Sequence, residues 1–210
     1  MVRMFIDGGF FMWPILGLLI IGIMFSLERA WTLSRASVNM RRFVLKVRQA
    51  ISEGGTDQAA EVCANTRGPV AAIFHAGLMR ADRGLEFVEK SIMTAGSIEM
   101  AFLEKNLVWI SSIIAIAPML GFTGTVFGMI HAFDEIAKAN DISPSIVAGG
   151  ISEALLTTLF GLVVAIIIQI FHNFFISRID KLVIDMEEGS IEFIDALAEM
   201  ERQRPAASAG

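Results

Sequence analysis

A small set of hydroxyl, amide and carboxylate side chains is embedded in two otherwise apolar stretches of the chain, residues 106–133 and 151–177. The set comprises Thr125, Glu153, Thr157, Thr158, Gln169 and Asn173. Each of these side chains can form hydrogen bonds with water, an ion or a charged group on another chain. Their spacing forms no nucleophile–base pair, metal-ligand cluster or phosphate-binding loop. We therefore expect contact with ions or protons rather than enzymatic chemistry, and no cofactor.

Glu153 is the only carboxylate in the second of these stretches, and it lies one helical turn before Thr157. Two interpretations of this position remain open. The carboxylate could be a solvated group at the level of lipid headgroups. Alternatively, it could attract protons or ions at an entrance, or pair with a cation on another protein.

The centres of the apolar stretches contain no Asp, Glu, Lys or Arg. His131 and His172 lie near the ends of these stretches, where a structural or interfacial histidine is expected. A proton relay inside a membrane normally needs a titratable group at depth. If this chain belongs to a proton machine, another chain must supply the central carboxylate. Nucleic-acid binding is not supported, because the net charge is −5 and no long basic run is present.

Small residues recur at helical spacing in both stretches, and they define one face of each predicted helix. In the first stretch they are Ala117, Gly121, Gly124, Gly128 and Ala132, and the matching stripe in the second is Ala154, Thr158, Gly161, Ala165 and Gln169. Small residues let helices approach closely in lipid, so both stripes could be ordinary packing seams. The polar members at several depths favour a water-filled path instead. The sequence leaves both interpretations open, and Gly121, Gly124, Gly128 and Gly161 are assigned to helix packing.

Three runs are long enough to cross a membrane, which requires about 20 mostly apolar residues. Gly8 to Leu27 carries no charge, and the other two runs, Asn106 to Phe133 and Ala154 to Ser177, each carry only a histidine. A soluble bundle with three buried helices is the alternative, but such helices are usually shorter and show a polar face. We therefore predict an all-α integral membrane protein with three transmembrane helices.

The distribution of Lys and Arg predicts the orientation. Of the seventeen such residues, eleven lie between Glu28 and Lys105 and four lie after Ser177, whereas Arg3 and Lys138 remain on the other side. The positive-inside rule therefore places the N-terminus outside, and the long middle segment and the C-terminal segment in the cytoplasm. Cys63, the single cysteine, suits a reducing compartment.

The predicted segments follow from these runs. They are a periplasmic N-terminus (1–9), transmembrane helix 1 (10–33), a cytoplasmic helical domain (34–105), transmembrane helix 2 (106–133), a periplasmic loop (134–150), transmembrane helix 3 (151–177), and a cytoplasmic helix with a disordered end after Met200 (178–210). Within the cytoplasmic domain, Gly54–Gly55 should stop one helix, a helix should run from Pro69 to Ala81, and another should continue from Gly84 into the membrane without a break. An apolar stripe from Ile179 to Leu197, including Ile191, requires a partner in its own chain or in a neighbouring subunit.

Two motifs in the apolar stretches resemble a known family. The segment APMLGFTGTVFGMIHAF at 117–133 and the segment GISEALLTTLFGLVVA at 150–165 are similar to the signatures of the second and third spans in the MotA/TolQ/ExbB proton channel family. The segment HNFF at 172–175 resembles the close of the third span, where the family usually has Tyr-Asn. The three-span layout is most similar to the ExbB and TolQ branch. One departure is Ile167, which stands where the family often has a proline that kinks the helix.

The resemblance implies a homopentamer in the bacterial inner membrane, surrounding the transmembrane helices of an ExbD- or TolR-like partner that carries an intramembrane Asp. It implies that Thr125, Thr158 and Asn173 line the path and that Glu153 is the acidic residue beside it. A TonB- or TolA-like protein would transmit the work to the outer membrane. Three functions remain open at this stage: an ExbB-like role in TonB-dependent transport, a TolQ-like role in the Tol-Pal system, and a passive membrane scaffold.

Overall fold

The computed structural model describes residues 2–36, 40–139 and 144–207, and every regular element in these ranges is helical. The helices are α1 (Val2–Asp7), α2 (Met12–Ala36), α3 (Met40–Ala64), α4 (Pro69–Leu78), a short 3₁₀ turn (Ala81–Arg83), α5 (Leu85–Glu104), α6 (Leu107–Ala139) and α7 (Pro144–Ala207). The predicted all-α class is confirmed for the described residues. Parts of the predicted segments 1–9, 34–105, 134–150 and 178–210 lie outside these residues.

Three stretches of helix are long and apolar enough to cross a membrane: Met12–Ala64, Leu85–Lys138 and Val147–Met200. They contain α2, α6 and α7, which carry the three runs expected from composition. Their surfaces expose large apolar side chains such as Ile20, Phe122 and Ile166. An exposed apolar surface of this kind suits a lipid environment or contact with other membrane helices.

The chain divides into two compact units. The first, which we call the span unit, comprises Met1–Arg29 and Asn106–Phe174, and the second, the α3–α5 unit, comprises Ala30–Lys105 and Phe175–Gly210. The span unit carries three of the seventeen Lys and Arg residues, and the α3–α5 unit carries the other fourteen. The division therefore separates a weakly charged unit from a strongly charged one.

Glycine and asparagine residues mark the breaks between helices. Gly55, in the interior of α3, has φ 73° and ψ −162°, so the expected interruption at Gly54–Gly55 is confirmed. Gly84 has φ 97° immediately before α5. The prediction of an unbroken helix from Gly84 into the membrane was wrong, because Asn106 has φ 65° and separates α5 from α6. Asparagine tolerates this left-handed conformation better than most residues, which is why it ends the helix without a glycine.

Two further helix ends differ from expectation. The structure ends α4 at Leu78, earlier than the predicted Ala81, and a 3₁₀ turn follows. The C-terminal helix continues past Met200 to Ala207, whereas the sequence predicted a disordered end. The segment after Met200 begins Glu-Arg-Gln-Arg, which are good helix formers and so can extend the last turns. Residues 208–210 lie outside the described residues.

The core of the α3–α5 unit is built around stacked aromatic rings. The Phe74 ring stacks on Phe193 with 4.4 Å between centroids, and the Phe43 ring lies 5.6 Å from Phe74. The apolar stripe of α7 therefore packs on helices α3 and α4 of its own chain. One member of the predicted stripe was misplaced, because Ile191 is 64% exposed, and Phe193 is the buried residue instead.

Candidate functional site

Helices α6 and α7 pack closely along the two stripes of small residues, a contact we call the α6–α7 seam. A Cβ atom at Gly121 would lie 2.9 Å from the Thr157 carbonyl oxygen and 3.0 Å from the Thr158 Cα. A Cβ atom at Gly161 would lie 2.6 Å from the Ala117 carbonyl oxygen. Because these neighbours are backbone atoms, they cannot move aside without shifting a helix. Glycine is therefore required where the two backbones approach each other.

The seam continues toward the N-terminal end of α7. A Cβ atom at Gly124 would lie 2.6 Å from the Thr157 side chain, and one at Gly128 would lie 3.1 Å from Ala154. The space beside Gly150 is filled by the Ala132 methyl group. Within one protomer, the small-residue stripes thus serve as a helix–helix contact, as the packing interpretation expected.

Two threonine hydroxyls lie in this seam and point to the same carbonyl group. Thr158 Oγ1 donates a hydrogen bond to the Gly121 carbonyl oxygen at 3.1 Å. Thr157 Oγ1 donates to the Ala154 carbonyl oxygen at 2.7 Å and lies 3.4 Å from the Gly121 carbonyl oxygen. Thr157 is only 1% exposed, whereas Thr158 is partly exposed at the edge of the seam. The predicted lining role of Thr157 thus falls on a side chain that faces α6 within one protomer.

Thr125 lies on α6 next to the seam and is partly exposed. Its Oγ1 donates a hydrogen bond to the Phe122 carbonyl oxygen at 2.5 Å. A threonine hydroxyl that donates to its own helix still offers its oxygen lone pairs as acceptors. Thr125 and Thr158 therefore keep acceptor capacity on surfaces that are open in a single protomer.

Gln169 and Asn173 form a polar pair further along α7. Gln169 Nε2 donates a hydrogen bond to Asn173 Oδ1 at 2.7 Å, across one helical turn. The Asn173 side chain is exposed in the protomer. A pair of amides exposed on a helix of this apolarity needs protein or water beside it.

Glu153 lies at the other end of α7 against the turn that precedes α2. Its Oε1 atom fills the space that a Cβ at Gly9 would need, and Gly9 has φ 68°. The carboxylate therefore lies beside the N-terminal end of a 25-residue helix, where the positive end of the helix dipole favours negative charge. The contact between Glu153 and Gly9 was not predicted from the sequence, in which the Gly8–Gly9 pair was the available signal for this turn.

A polar group that the sequence analysis did not identify lies at the C-terminal end of the first span. Arg29 is 2% exposed and forms a bidentate ion pair with Glu28. Its Nε atom donates to Glu28 Oε2 at 2.8 Å, and its Nη2 atom donates to Glu28 Oε1 at 2.7 Å. Asn106 Nδ2 donates to the same carboxylate at 3.1 Å. Ser26, also buried, donates to the Gly22 carbonyl oxygen at 2.7 Å. The signal in the sequence was an adjacent Glu-Arg pair at the end of an uncharged run.

Few ionisable groups outside the predicted spans have a shifted pKa. Burial raises the pKa of the Cys63 thiol to about 12. The exposed Lys138 ammonium donates a hydrogen bond to Glu135 at 3.0 Å, which lowers the pKa of the Glu135 carboxyl and raises that of Lys138. Among the described residues, no three His, Cys, Asp or Glu side chains come together as a metal site would require.

Comparison with known proteins identifies sequence relatives of the chain. The profile of the family described as "MotA/TolQ/ExbB proton channel family" matches residues 65–188. A putative biopolymer transport protein ExbB homolog of Methanothermobacter thermautotrophicus is 31% identical over 85% of this chain and 64% of its own length. A putative biopolymer transport protein ExbB-like 3 of Synechocystis is 28% identical over 89% of this chain and 91% of its own length. The Tol-Pal system protein TolQ of Pseudomonas aeruginosa is 33% identical over 49% of this chain and 44% of its own length. The chain thus spans less than two thirds of the Methanothermobacter relative.

Proposed function

Because the chain belongs to the MotA/TolQ/ExbB proton channel family, we propose that it is the channel-wall subunit of an inner-membrane motor driven by the proton motive force. In this proposal the chain acts with an ExbD-like partner and energises TonB-dependent transport at the outer membrane. Relatives named as ExbB proteins, two of which align over most of this chain, support the ExbB-like assignment. We propose further that the predicted membrane segments and orientation hold, with the α3–α5 unit in the cytoplasm.

The observation that carries the proposal is the polar edge of the α6–α7 seam in helices that lack any central charge. Thr125 and Thr158 offer hydroxyl oxygens there, and the exposed Gln169–Asn173 pair extends the polar surface along α7. Neither Leu107–Ile130 nor Ala154–Phe171 contains a titratable side chain. Such a wall can hydrogen-bond a charge but cannot carry one, so the partner must bring the carboxylate.

In the proposed assembly, five copies surround the transmembrane helices of the partner. The ionised partner carboxylate would need a hydrogen-bond donor or water. Thr125 and Thr158 can donate to it when their hydroxyls turn away from the Phe122 and Gly121 carbonyl oxygens, whereas the protonated carboxyl can face apolar wall. Moving one charge through the membrane field releases about 2.3 kcal/mol per 100 mV, and this energy would bias the exchange between the two states. Successive protonations would then move the partner helices relative to the ring, and a TonB-like protein would deliver the work.

The first test replaces Thr158 by valine, which keeps the shape and removes the hydroxyl. We expect proton flux through the wall–partner complex in proteoliposomes to fall by about tenfold to a hundredfold, because a charge-stabilising hydrogen bond is lost along the path. Thr123→Val is a matched control, because the exposed Thr123 hydroxyl bonds only the Met119 carbonyl oxygen of its own helix, at 2.8 Å. Assembly of each variant is checked by its elution with the partner in detergent.

A passive scaffold is the second candidate. It is favoured by one observation: the hydroxyls of Thr125, Thr157 and Thr158 all donate to backbone carbonyls within the protomer, as packing hydroxyls do. If Thr158→Val keeps wild-type proton flux and normal assembly, the scaffold function is correct and the motor proposal is wrong. TolQ-like service in the Tol-Pal system is a variant of the motor proposal. A deletion strain that loses envelope integrity but keeps TonB-dependent uptake would identify it.

A further inference from the structure

His172 is an imidazole placed in the buried row of α7. Ala165 and Ile168 precede it in this row, and both are buried. Its Nδ1 atom is enclosed and has no hydrogen-bond partner among the described residues. Burying a polar nitrogen without a hydrogen-bond partner raises the free energy of the folded state. We therefore expect His172 to have a role other than packing.

The register between α2 and α7 identifies what lies at the depth of His172. Glu153 contacts Gly9, and Ile168 contacts Gly22, since Ile168 Cδ1 lies 2.7 Å from where a Gly22 Cβ would be. Residue numbers increase together along both helices, so the two helices run in the same direction. One turn beyond Gly22 is the buried Ser26, and one turn beyond Ile168 is His172. The two polar side chains therefore lie at the same level of the span unit.

Beyond this level lies the polar group of Arg29, Glu28 and Asn106. Arg29 is buried, but the Glu28 side chain is 42% exposed, so the group extends from the interior of the span unit to its surface. Within the span unit, Glu28 and Arg29 are the charged groups on α2 at this end, and they pair with each other, whereas Arg35, in the last turn of α2, belongs to the α3–α5 unit. The segment Leu107–Ile130 of α6 has no titratable group, and on α7 the next charge after His172 is Arg178. No net charge at this level therefore opposes protonation of the ring.

We infer that His172 is the proton-exchange residue at the cytoplasmic end of the span unit, between the Gln169–Asn173 pair and the Glu28 group. The inference rests on the proposed channel function. The neutral ring accepts one proton on one nitrogen and releases one from the other, so a proton passes and the ring returns to neutral. The released proton goes to water or to the Glu28 carboxylate. Histidine suits this step because its ordinary ionisation falls between pH 5 and 8.

The functional test compares His172→Phe and His172→Gln in the wall–partner complex reconstituted in proteoliposomes. Both variants should lower proton flux by about tenfold or more and flatten its dependence on cytoplasmic-side pH, because neither side chain can take up a proton. His131→Phe is the control, because His131 is an exposed histidine near the other end of the spans. If His172→Gln keeps the wild-type proton flux, the inference is overturned, because a side chain that only forms hydrogen bonds would then be sufficient for proton flux.

A second measurement tests the same residue without relying on flux. The chain has three histidines, so ¹⁵N-histidine spectra of the reconstituted complex give few signals, and His172→Gln identifies one of them. With pH set separately on the two sides of the vesicle, the His172 signal should follow the pH on the side of the α3–α5 unit. A ring that does not titrate between about pH 5 and 8, or that follows the opposite side, overturns the inference even when flux is normal. A third outcome separates the two proposals. If the wild-type complex conducts no protons but the His172 ring still titrates from the side of the α3–α5 unit, the channel function is contradicted and proton exchange at His172 is supported.

Discussion

At the residue scale, the main feature of the span unit is the convergence of two hydroxyls on one carbonyl. Thr157 and Thr158 both approach the Gly121 oxygen, at 3.4 Å and 3.1 Å, and the absence of a side chain at Gly121 makes this approach possible. The two threonines are adjacent in sequence but differ in environment. Thr157 is enclosed in the seam, whereas Thr158 is partly exposed. We therefore expect Thr157 to hold the wall together and Thr158 to contact the partner.

Cys63 gives a prediction at the same scale that concerns pH. Burial raises the pKa of its thiol from 9.0 to about 12, and the thiolate is the reactive form. At pH 8, a maleimide should therefore react with the folded chain roughly a hundredfold or more slowly than with the denatured chain, because each pKa unit changes the thiolate fraction about tenfold. The rate of labelling before and after denaturation measures this difference.

The same pKa shift has a consequence for stability. Below pH 9.0, the thiol is neutral in both the folded and the unfolded chain. Between pH 9.0 and about 12, the unfolded chain loses the proton and the folded chain keeps it, so the free energy of unfolding falls as pH rises through this window. Cys63→Ala should show a smaller fall than the wild-type chain over the same window. Equal falls would contradict the burial of Cys63.

At the element scale, hydropathy and small-residue spacing predicted α2, α6 and α7, because apolar runs and helical periodicity are properties of the local sequence. The break at Asn106 was not predicted, because asparagine adopts a left-handed conformation only where its surroundings support it, and here its side chain donates to Glu28. The partner of the α7 stripe could not be chosen from sequence either. Stacking of Phe74 on Phe193 is a contact between residues distant in sequence, and periodicity contains no information about it.

The sequence also could not decide between a seam and a lining for the small-residue stripes. Both require small residues at the same spacing, and only the positions of the neighbouring backbone atoms distinguish them. The structure shows that the glycines of α6 serve the seam within one protomer, whereas the polar residues at its edge remain available to other chains. The Glu28–Arg29 group was missed for a related reason, because a charged pair at a span end has the same sequence whether it is solvated or buried.

The α6–α7 seam gives a prediction at the element scale. Gly121→Ala should destabilise the span unit by about 1–3 kcal/mol, because the added methyl group meets the backbone of α7 at 2.9 Å and 3.0 Å. Unfolding by SDS from mild detergent micelles, followed by circular dichroism, measures the change. Gly17→Ala on α2 is the control, because a Cβ there meets no atom within 4 Å. Equal stability of the two variants would contradict the close approach at Gly121.

At the scale of the whole molecule, charge is divided between the two units. The α3–α5 unit carries fourteen of the Lys and Arg residues, which favours its placement on the cytoplasmic side. The match to the family profile extends from residue 65 of the α3–α5 unit to residue 188 and includes both signature spans. The family assignment therefore rests on residues of both units.

The orientation can be tested with single cysteines. Lys138→Cys should react with a membrane-impermeant maleimide in cells with a permeabilised outer membrane, whereas Leu45→Cys should react only after the inner membrane is opened. Both positions are exposed in the protomer, and the buried Cys63 contributes little background. Labelling of Leu45→Cys in cells with an intact inner membrane would invert the proposed orientation.

The contact between Gly9 and Glu153 couples two parts of the chain that are far apart in sequence. A side chain at position 9 would displace the Glu153 carboxylate, because a Cβ atom there would overlap its Oε1 atom. The backbone at Gly9 thus limits the position of the Glu153 carboxylate, although the two residues belong to different helical segments. A substitution at Gly9 should thus change the position of an acidic group on α7 without altering any side chain of that helix.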